Sequence, residues 1–187
     1  MNLILDFWLN GYLFLALARV EAMPLTHALK TQPIPPDHAQ YAIWLHNHDE
    51  LFLDLLDASE RTEVMHRFGP DPIMPAYDRG IRRRCAPMLG GDERRLAQAH
   101  ALLFSLPGVP IVRYGEEIGM GDNLSLLQRE AVRTPMQWST EDNGGFSTAP
   151  ISKLAAPVIT DGQYAFTHIN VYNQILRHDP YWLKLAT

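Results

Sequence analysis

Apolar and polar positions along this chain switch between a strand-like and a helix-like period, and the switches mark its elements. Leu3-Ile4-Leu5-Asp6-Phe7 is short and almost wholly apolar, the pattern of a buried strand. Asn10 to Met23 reads as a helix that Pro24 is expected to close. A Pro-rich connector, Gln32-Pro33-Ile34-Pro35-Pro36, breaks the periodicity and leads to a second strand, Tyr41 to His46. Ser59 to Phe68 is predicted helical, and Gly69-Pro70-Asp71-Pro72 a turn. Asp92 suits the N-cap of a helix from Glu93 to Leu106, whose apolar Leu96, Ala99, Leu102, Leu103 and Leu106 recur at steps of three and four. Pro107-Gly108 stops it, and Val109 to Tyr114 is the third strand. Gly115 to Thr160 is loop-like, and a last helical stretch covers about His168 to Arg177. The order β-α-β-α-β-α is a parallel α/β signature with only three strands, and its 187 residues suit one domain.

Composition narrows the setting. Hydrophobic residues make up 47% and charged residues 20%, an ordinary balance for a folded domain. A net charge of -5 argues against nucleic acid or an anionic membrane as partner. Arg82-Arg83-Arg84 is the basic cluster, expected to be a solvated helix face or a local ion-pair site. Leu3 to Ala18 has the look of an export signal, but no Lys or Arg precedes it and Asp6 interrupts it, so it reads as core. A single cysteine, Cys85, allows no intrachain disulfide and fits a reducing compartment, so a cytoplasmic location is expected.

The candidate chemistry lies at the ends of the second and third strands. Asn47-His48-Asp49 places an amide, an imidazole and a carboxylate where parallel α/β barrels carry catalytic groups. Three readings stand for this triplet: a strand-end cap, a metal site and a sugar site. His46 and His48, two apart, would share one face of a strand and could ligate a metal with Asp49 and a further residue such as His66 or His100. Alternatively Asn47, His48 and Asp49 would bind vicinal sugar hydroxyls, with Asp49 facing a cation-like transition state. The second strand end carries Tyr114-Gly115-Glu116-Glu117. Downstream, Arg133, Trp138 and Phe146 supply a guanidinium and aromatic faces of the kind that pack on sugar rings.

Three motifs in order, Trp44-Leu45-His46-Asn47-His48-Asp49-Glu50-Leu51, Arg113-Tyr114-Gly115-Glu116-Glu117-Ile118-Gly119-Met120 and Arg133-Thr134-Pro135-Met136-Gln137-Trp138, resemble the α-amylase superfamily of retaining glycoside hydrolases and transglycosidases. Arg79-Gly80-Ile81-Arg82-Arg83-Arg84 and Ala86-Pro87-Met88-Leu89-Gly90-Gly91-Asp92 are most similar to its trehalose synthase subgroup, which interconverts maltose and trehalose. Another α-glucosidase of the superfamily, or a carbohydrate-binding fragment without catalysis, is the alternative. The resemblance implies that residues 1–187 are the C-terminal part of a (β/α)8 TIM barrel, from strand six to the helix after strand eight, with no second domain. It implies that Asp49 is the carboxylate that stabilises the transition state, and that His48, Asn47 and Arg133 bind the glucose ring. His46 stands where the subgroup usually has Arg, and Glu116 where it often has Asp. The family's nucleophile and general acid lie on strands four and five, so the missing N-terminal part of the barrel is the expected partner, beside maltose or trehalose. No cofactor is expected. Calcium occurs by family analogy, without ligands identified here.

Overall fold

The computed structural model describes residues 2–177. In chain order the elements are β1 (Asn2–Leu5), α1 (Phe7–Arg19), α2 (Met23–Thr31), β2 (Ala39–Trp44), β3 (Leu51–Phe52), α3 (Ala58–Phe68), β4 (Pro75–Ala76), β5 (Gly80–Ile81), α4 (Cys85–Met88), α5 (Glu93–Ser105), β6 (Val109–Ile111) and α6 (Val171–Leu176). Short 3-10 turns at Gln128–Val132, Asp142–Gly145 and Ile151–Lys153 punctuate the stretch between β6 and α6. No helix among the described residues is long and apolar enough to cross a membrane.

The three expected strands form one parallel sheet with β2 in the middle, Leu5 opposite Ala42 on one side and Trp44 opposite Ile111 on the other. Side chains alternate across a strand. Tyr41, Ile43 and Leu45 accordingly join the main core with Leu9, Leu13 and Leu15 of α1, while Ala42 and Trp44 face the opposite side. The first strand, expected to be buried, is instead an exposed edge: Leu3, Ile4 and Leu5 of β1 are all exposed, as is Ile111 of β6 on the other edge, because no further strand among the described residues covers either side.

Helix α1 is buried continuously from Leu9 to Ala16, because β2, α2 and α3 all pack on it. Asp6 caps its first turn by accepting the Leu9 N–H at 2.8 Å. One polar residue survives in this core for a structural reason. The Asn10 amide donates to the carbonyls of Trp44 (2.8 Å) and Leu45 (3.2 Å), where the chain leaves β2. Helix α3 starts with a reciprocal capping box between Asp57 and Glu60, and Asp92 caps α5 as expected.

Three further expectations change, and one feature was not expected at all. Pro24 does not end the first helix: α1 stops at Arg19, where Val20 turns left-handed (φ 58°), and Pro24 sits in the first turn of α2. A proline lacks only an N–H that the first helical turn leaves unpaired anyway. The third strand ends at Ile111, because Arg113 turns inward and Gly115 takes φ 86°. The final helix is the shorter α6, started by Asn170. A small antiparallel sheet, in the order β3-β5-β4, went unforeseen, because strands of two residues carry no readable period.

Gly80 in that sheet lies against Leu51. A Cβ at position 80 would strike the Leu51 carbonyl oxygen and come within 2.9 Å of the Glu50 Cγ. Backbone cannot step aside as a side-chain tip can. Gly80→Ala is expected to lower stability by about 2 kcal/mol in denaturant titration; an unchanged midpoint would mean that the sheet tolerates the methyl group.

Candidate active site

The loop Asn47–Glu50 leaves the C-terminal end of β2 and is fastened by four arginines from other parts of the chain. Its own turn is set by Asn47, whose side-chain oxygen accepts the Asp49 N–H at 2.8 Å. Arg113, just past β6, donates to the Asn47 carbonyl at 2.9 Å and also to the Val132 carbonyl. Two strand ends and the 128–132 turn are thereby tied together. Arg133 donates from Nε to the His48 carbonyl (2.8 Å) and from Nη2 to Asp49 Oδ1 (2.9 Å). Arg129 bridges the two acidic neighbours, at 3.2 Å from Asp49 Oδ1 and 2.7 Å from Glu50 Oε2. Arg79 completes the set at 2.7 Å from Glu50 Oε1.

Asn47, His48, Asp49 and Arg133, all singled out from the sequence, therefore meet in one place. The Asp49 side chain remains 26% exposed beside a cleft of about 170 Å³ that it shares with Phe7, Phe52 and Arg129. His48 Nε2 lies 3.8 Å from Asp49 Oδ2, and 70% of its side chain is exposed. Glu50 is buried behind them. Burial alone would raise its pKa, but the hydrogen bonds from Arg129, the backbone and Arg79 outweigh it and hold the carboxyl below its ordinary range.

His46 takes no part in this group. Strand β2 ends at Trp44, so the alternation that would align His46 with His48 is already broken. The His46 ring is buried, with both nitrogens lacking a hydrogen-bond partner. Burial, then the charges of Arg113 and Arg84, hold its pKa well below the usual range and keep it neutral. Those guanidinium charges would also repel a cation. No cluster of three or more His, Cys, Asp or Glu suited to a metal ion occurs among the described residues, and the buried His46 does not join His48 and Asp49 as the alternative metal reading required.

Of the two expectations for the arginine triplet, the local ion-pair site holds for Arg83 and Arg84, while Arg82 donates to the Ile73 carbonyl at 2.6 Å. Arg83 pairs with Asp122 at 2.9 Å, and the wholly buried Arg84 pairs with Glu116 at 3.1 Å. Glu116 is consequently internal and closed to a ligand. Burial raises its pKa, while Arg84 and Arg113 pull the other way. Glu117 points elsewhere. It lines a cavity of about 420 Å³ with Tyr114, Arg133, Met136, Trp138 and Phe146. The Tyr114 hydroxyl donates to the Thr134 carbonyl at 2.8 Å, and its ring carries the Arg113 and Arg84 guanidinium groups at 4.9 and 5.1 Å from the centroid.

Sequence reasoning gave no role to Arg113, Arg129 or Arg79. Arg113 had a usable signal, a cation at the end of a parallel strand, whereas Arg129 lies in an irregular segment with no period to place it.

Residues 81–182 match the family Alpha-amylase, described as the alpha amylase catalytic domain, and the chain belongs to this family. It is 43% identical to "Trehalose synthase" of Thermus thermophilus over 98% of its own length and 19% of that protein's. It is 41% identical to "Trehalose synthase/amylase TreS" of Mycolicibacterium smegmatis over 93% of its own length and 29% of that protein's. The chain thus spans less than a third of these relatives. Among solved structures, sucrose 6F-phosphate phosphorylase from Thermoanaerobacter thermosaccharolyticum aligns with a TM-score of 0.57 at 22% identity, covering 69% of this chain and 30% of that one. The fold is shared at this level.

The Glu50 clamp has a definite pH signature. A carboxyl depressed in the folded state contributes stability above its unfolded pKa of about 4.3 and loses that contribution as the pH falls through the folded value. Glu50→Gln is expected to cost about 2 kcal/mol at pH 7, and the deficit should shrink on acidification below about pH 4. Thermal unfolding of both proteins across that range measures it, and a deficit independent of pH would contradict the ionic clamp.

Proposed function

We propose that this chain is the C-terminal part of the catalytic barrel of a trehalose synthase-like α-glucoside transglucosidase, running from strand six to the helix after strand eight. The reading rests on one observation above others: Asn47, His48 and Asp49 gather at the C-terminal end of β2, with Arg133 on Asp49 Oδ1 at 2.9 Å. In this reading Asp49 holds ring hydroxyls beside the linkage that breaks and opposes the positive charge that develops on the sugar. His48 and Asn47 bind the same ring, and Arg133 orients Asp49. Retaining transfer needs a nucleophile and a general acid about 5 Å apart. The family carries both on strands four and five, so the rest of the barrel would supply them. The linkage of maltose would be broken through a covalent glucosyl intermediate and re-formed to the released glucose as trehalose.

In the complete enzyme containing this chain, Asp49→Asn should lower maltose-to-trehalose conversion at least about 1,000-fold, as losing a preorganised charge at the transition state would. Conversion followed by proton NMR of the anomeric signals tests this. Retention of full turnover by the variant would remove Asp49 from its role.

A further inference from the structure

The hairpin that carries Arg79 into the clamp turns on a residue poorly suited to the turn. Strands β4 and β5 are joined through Tyr77, Asp78 and Arg79, and the Arg79 N–H donates back to the Ala76 carbonyl at 3.2 Å. The two central residues hold φ values of 53° (Tyr77) and 54° (Asp78). Two successive left-handed residues mark a type I′ turn, which favours Asn, Asp or Gly. Asp78 fits that preference. Tyr77 does not, because its Cβ crowds the backbone at this φ, where glycine would sit without strain. Burial does not account for the ring either, since Tyr77 is 47% exposed. Backbone strain of this kind gathers where the surrounding structure uses the side chain it presents.

The contacts of the Tyr77 ring supply such a use. The Arg129 guanidinium lies 4.9 Å from its centroid and the Arg79 guanidinium 5.6 Å. These are the two arginines that hold Glu50, and Arg129 also reaches Asp49 Oδ1 at 3.2 Å. Arg79 lies at the same time 5.5 Å from the Phe52 ring. Phe52 meets Phe7 edge-on at 5.5 Å, and Phe7 meets Trp44 of β2 at 5.0 Å. A continuous stack thus runs from the end of β2 through Phe7 and Phe52 to Arg79, Tyr77 and Arg129. Phe7, Phe52 and both arginines line the Asp49 cleft. An aromatic face holds a guanidinium in place while leaving its N–H edge free for carboxylates. Arg129 needs such a hold. Its side chain is 30% exposed, and a long side chain at the surface samples many rotamers unless something orders it.

We infer that Tyr77 is a positioning residue for the reaction: by stacking on Arg129 and Arg79 it fixes the cation that orients Asp49 at the cleft. This rests on the reading of Asp49 as the carboxylate that opposes the developing charge of the sugar. Tyr77 touches no substrate in this role and acts through Arg129. Arg129 and Arg133 both hold Asp49 Oδ1, so Oδ2 is the oxygen presented to a hydroxyl.

Kinetics with maltose and thermal unfolding of Tyr77→Gly and Tyr77→Phe, in the complete enzyme containing this chain, test the inference. Glycine removes the ring and the strain together. The unfolding midpoint should therefore hold or rise, while kcat falls at least about tenfold, as a small misplacement at a reacting centre produces. KM should stay within about twofold, because the loss falls on the transition state. Tyr77→Phe keeps the aromatic face and should keep kcat close to that of the unaltered enzyme. An unchanged kcat in Tyr77→Gly, a kcat that falls only in step with a lowered midpoint, or a Tyr77→Phe enzyme as slow as Tyr77→Gly would overturn the inference. Inactive Asp49→Asn beside fully active Tyr77→Gly would remove the role of Tyr77 and leave that of Asp49. Full turnover by Asp49→Asn would remove both.

Discussion

Two carboxylates on adjacent residues at the end of a buried strand are a local excess of negative charge, and the site depends on how that excess is balanced. Asp49 and Glu50 share Arg129, with Arg79 added on the Glu50 side and Arg133 on the Asp49 side. The partition is unequal. Glu50 is buried and held by two arginines, so it anchors the loop, while Asp49 keeps part of its surface open beside a cleft. Removing one partner of such a pair costs little at an open surface but about 3–5 kcal/mol where the remaining charge is buried. The clamp therefore serves as scaffold on one carboxylate and as orientation on the other.

The fold delivers the cations from distant segments. Arg79 comes from the turn before β5, Arg113 from the end of β6, and Arg129 and Arg133 from the irregular chain beyond. Without the parallel pairing of β2 with β6, Arg113 would not reach the Asn47 carbonyl. Without Asn10 from α1, the Trp44 and Leu45 carbonyls would lose its amide as donor, a loss of about 1 kcal/mol for a typical hydrogen bond. The apolar core and the polar site thus share one strand end, and a disturbance in either reaches the other.

Much of this was legible in the residues, and the limits have physical causes. The strands around Ile4, Ile43 and Pro110, the helix from Ser59 to Phe68 and the helix capped by Asp92 were readable from period and capping chemistry, which are local. So was the gathering of Asn47, His48 and Asp49 at a strand end. What escaped was non-local or without period. Pro24 can close one helix or open the next, and only the left-handed turn at Val20 decides it. An ion pair at Arg84 was one of two expectations, but its burial and its partner Glu116, 3.1 Å away in the interior, were not readable. His46 and His48 alternate on paper, but the strand has ended before they do. Family membership rests on motifs in order, the kind of signal that survives when single residues are ambiguous.

In the proposed reading Asp49 and Arg133 act as one sugar-binding unit rather than as two independent contacts. A double-mutant cycle on maltose affinity, using Asp49→Asn, Arg133→Met and the combined variant, measures this directly. A coupling of about 1 kcal/mol or more is expected, because once either partner is gone the other loses its orientation. Strictly additive losses in the two single variants would show that the ion pair between Asp49 and Arg133 carries no function and that the two do not act as a unit.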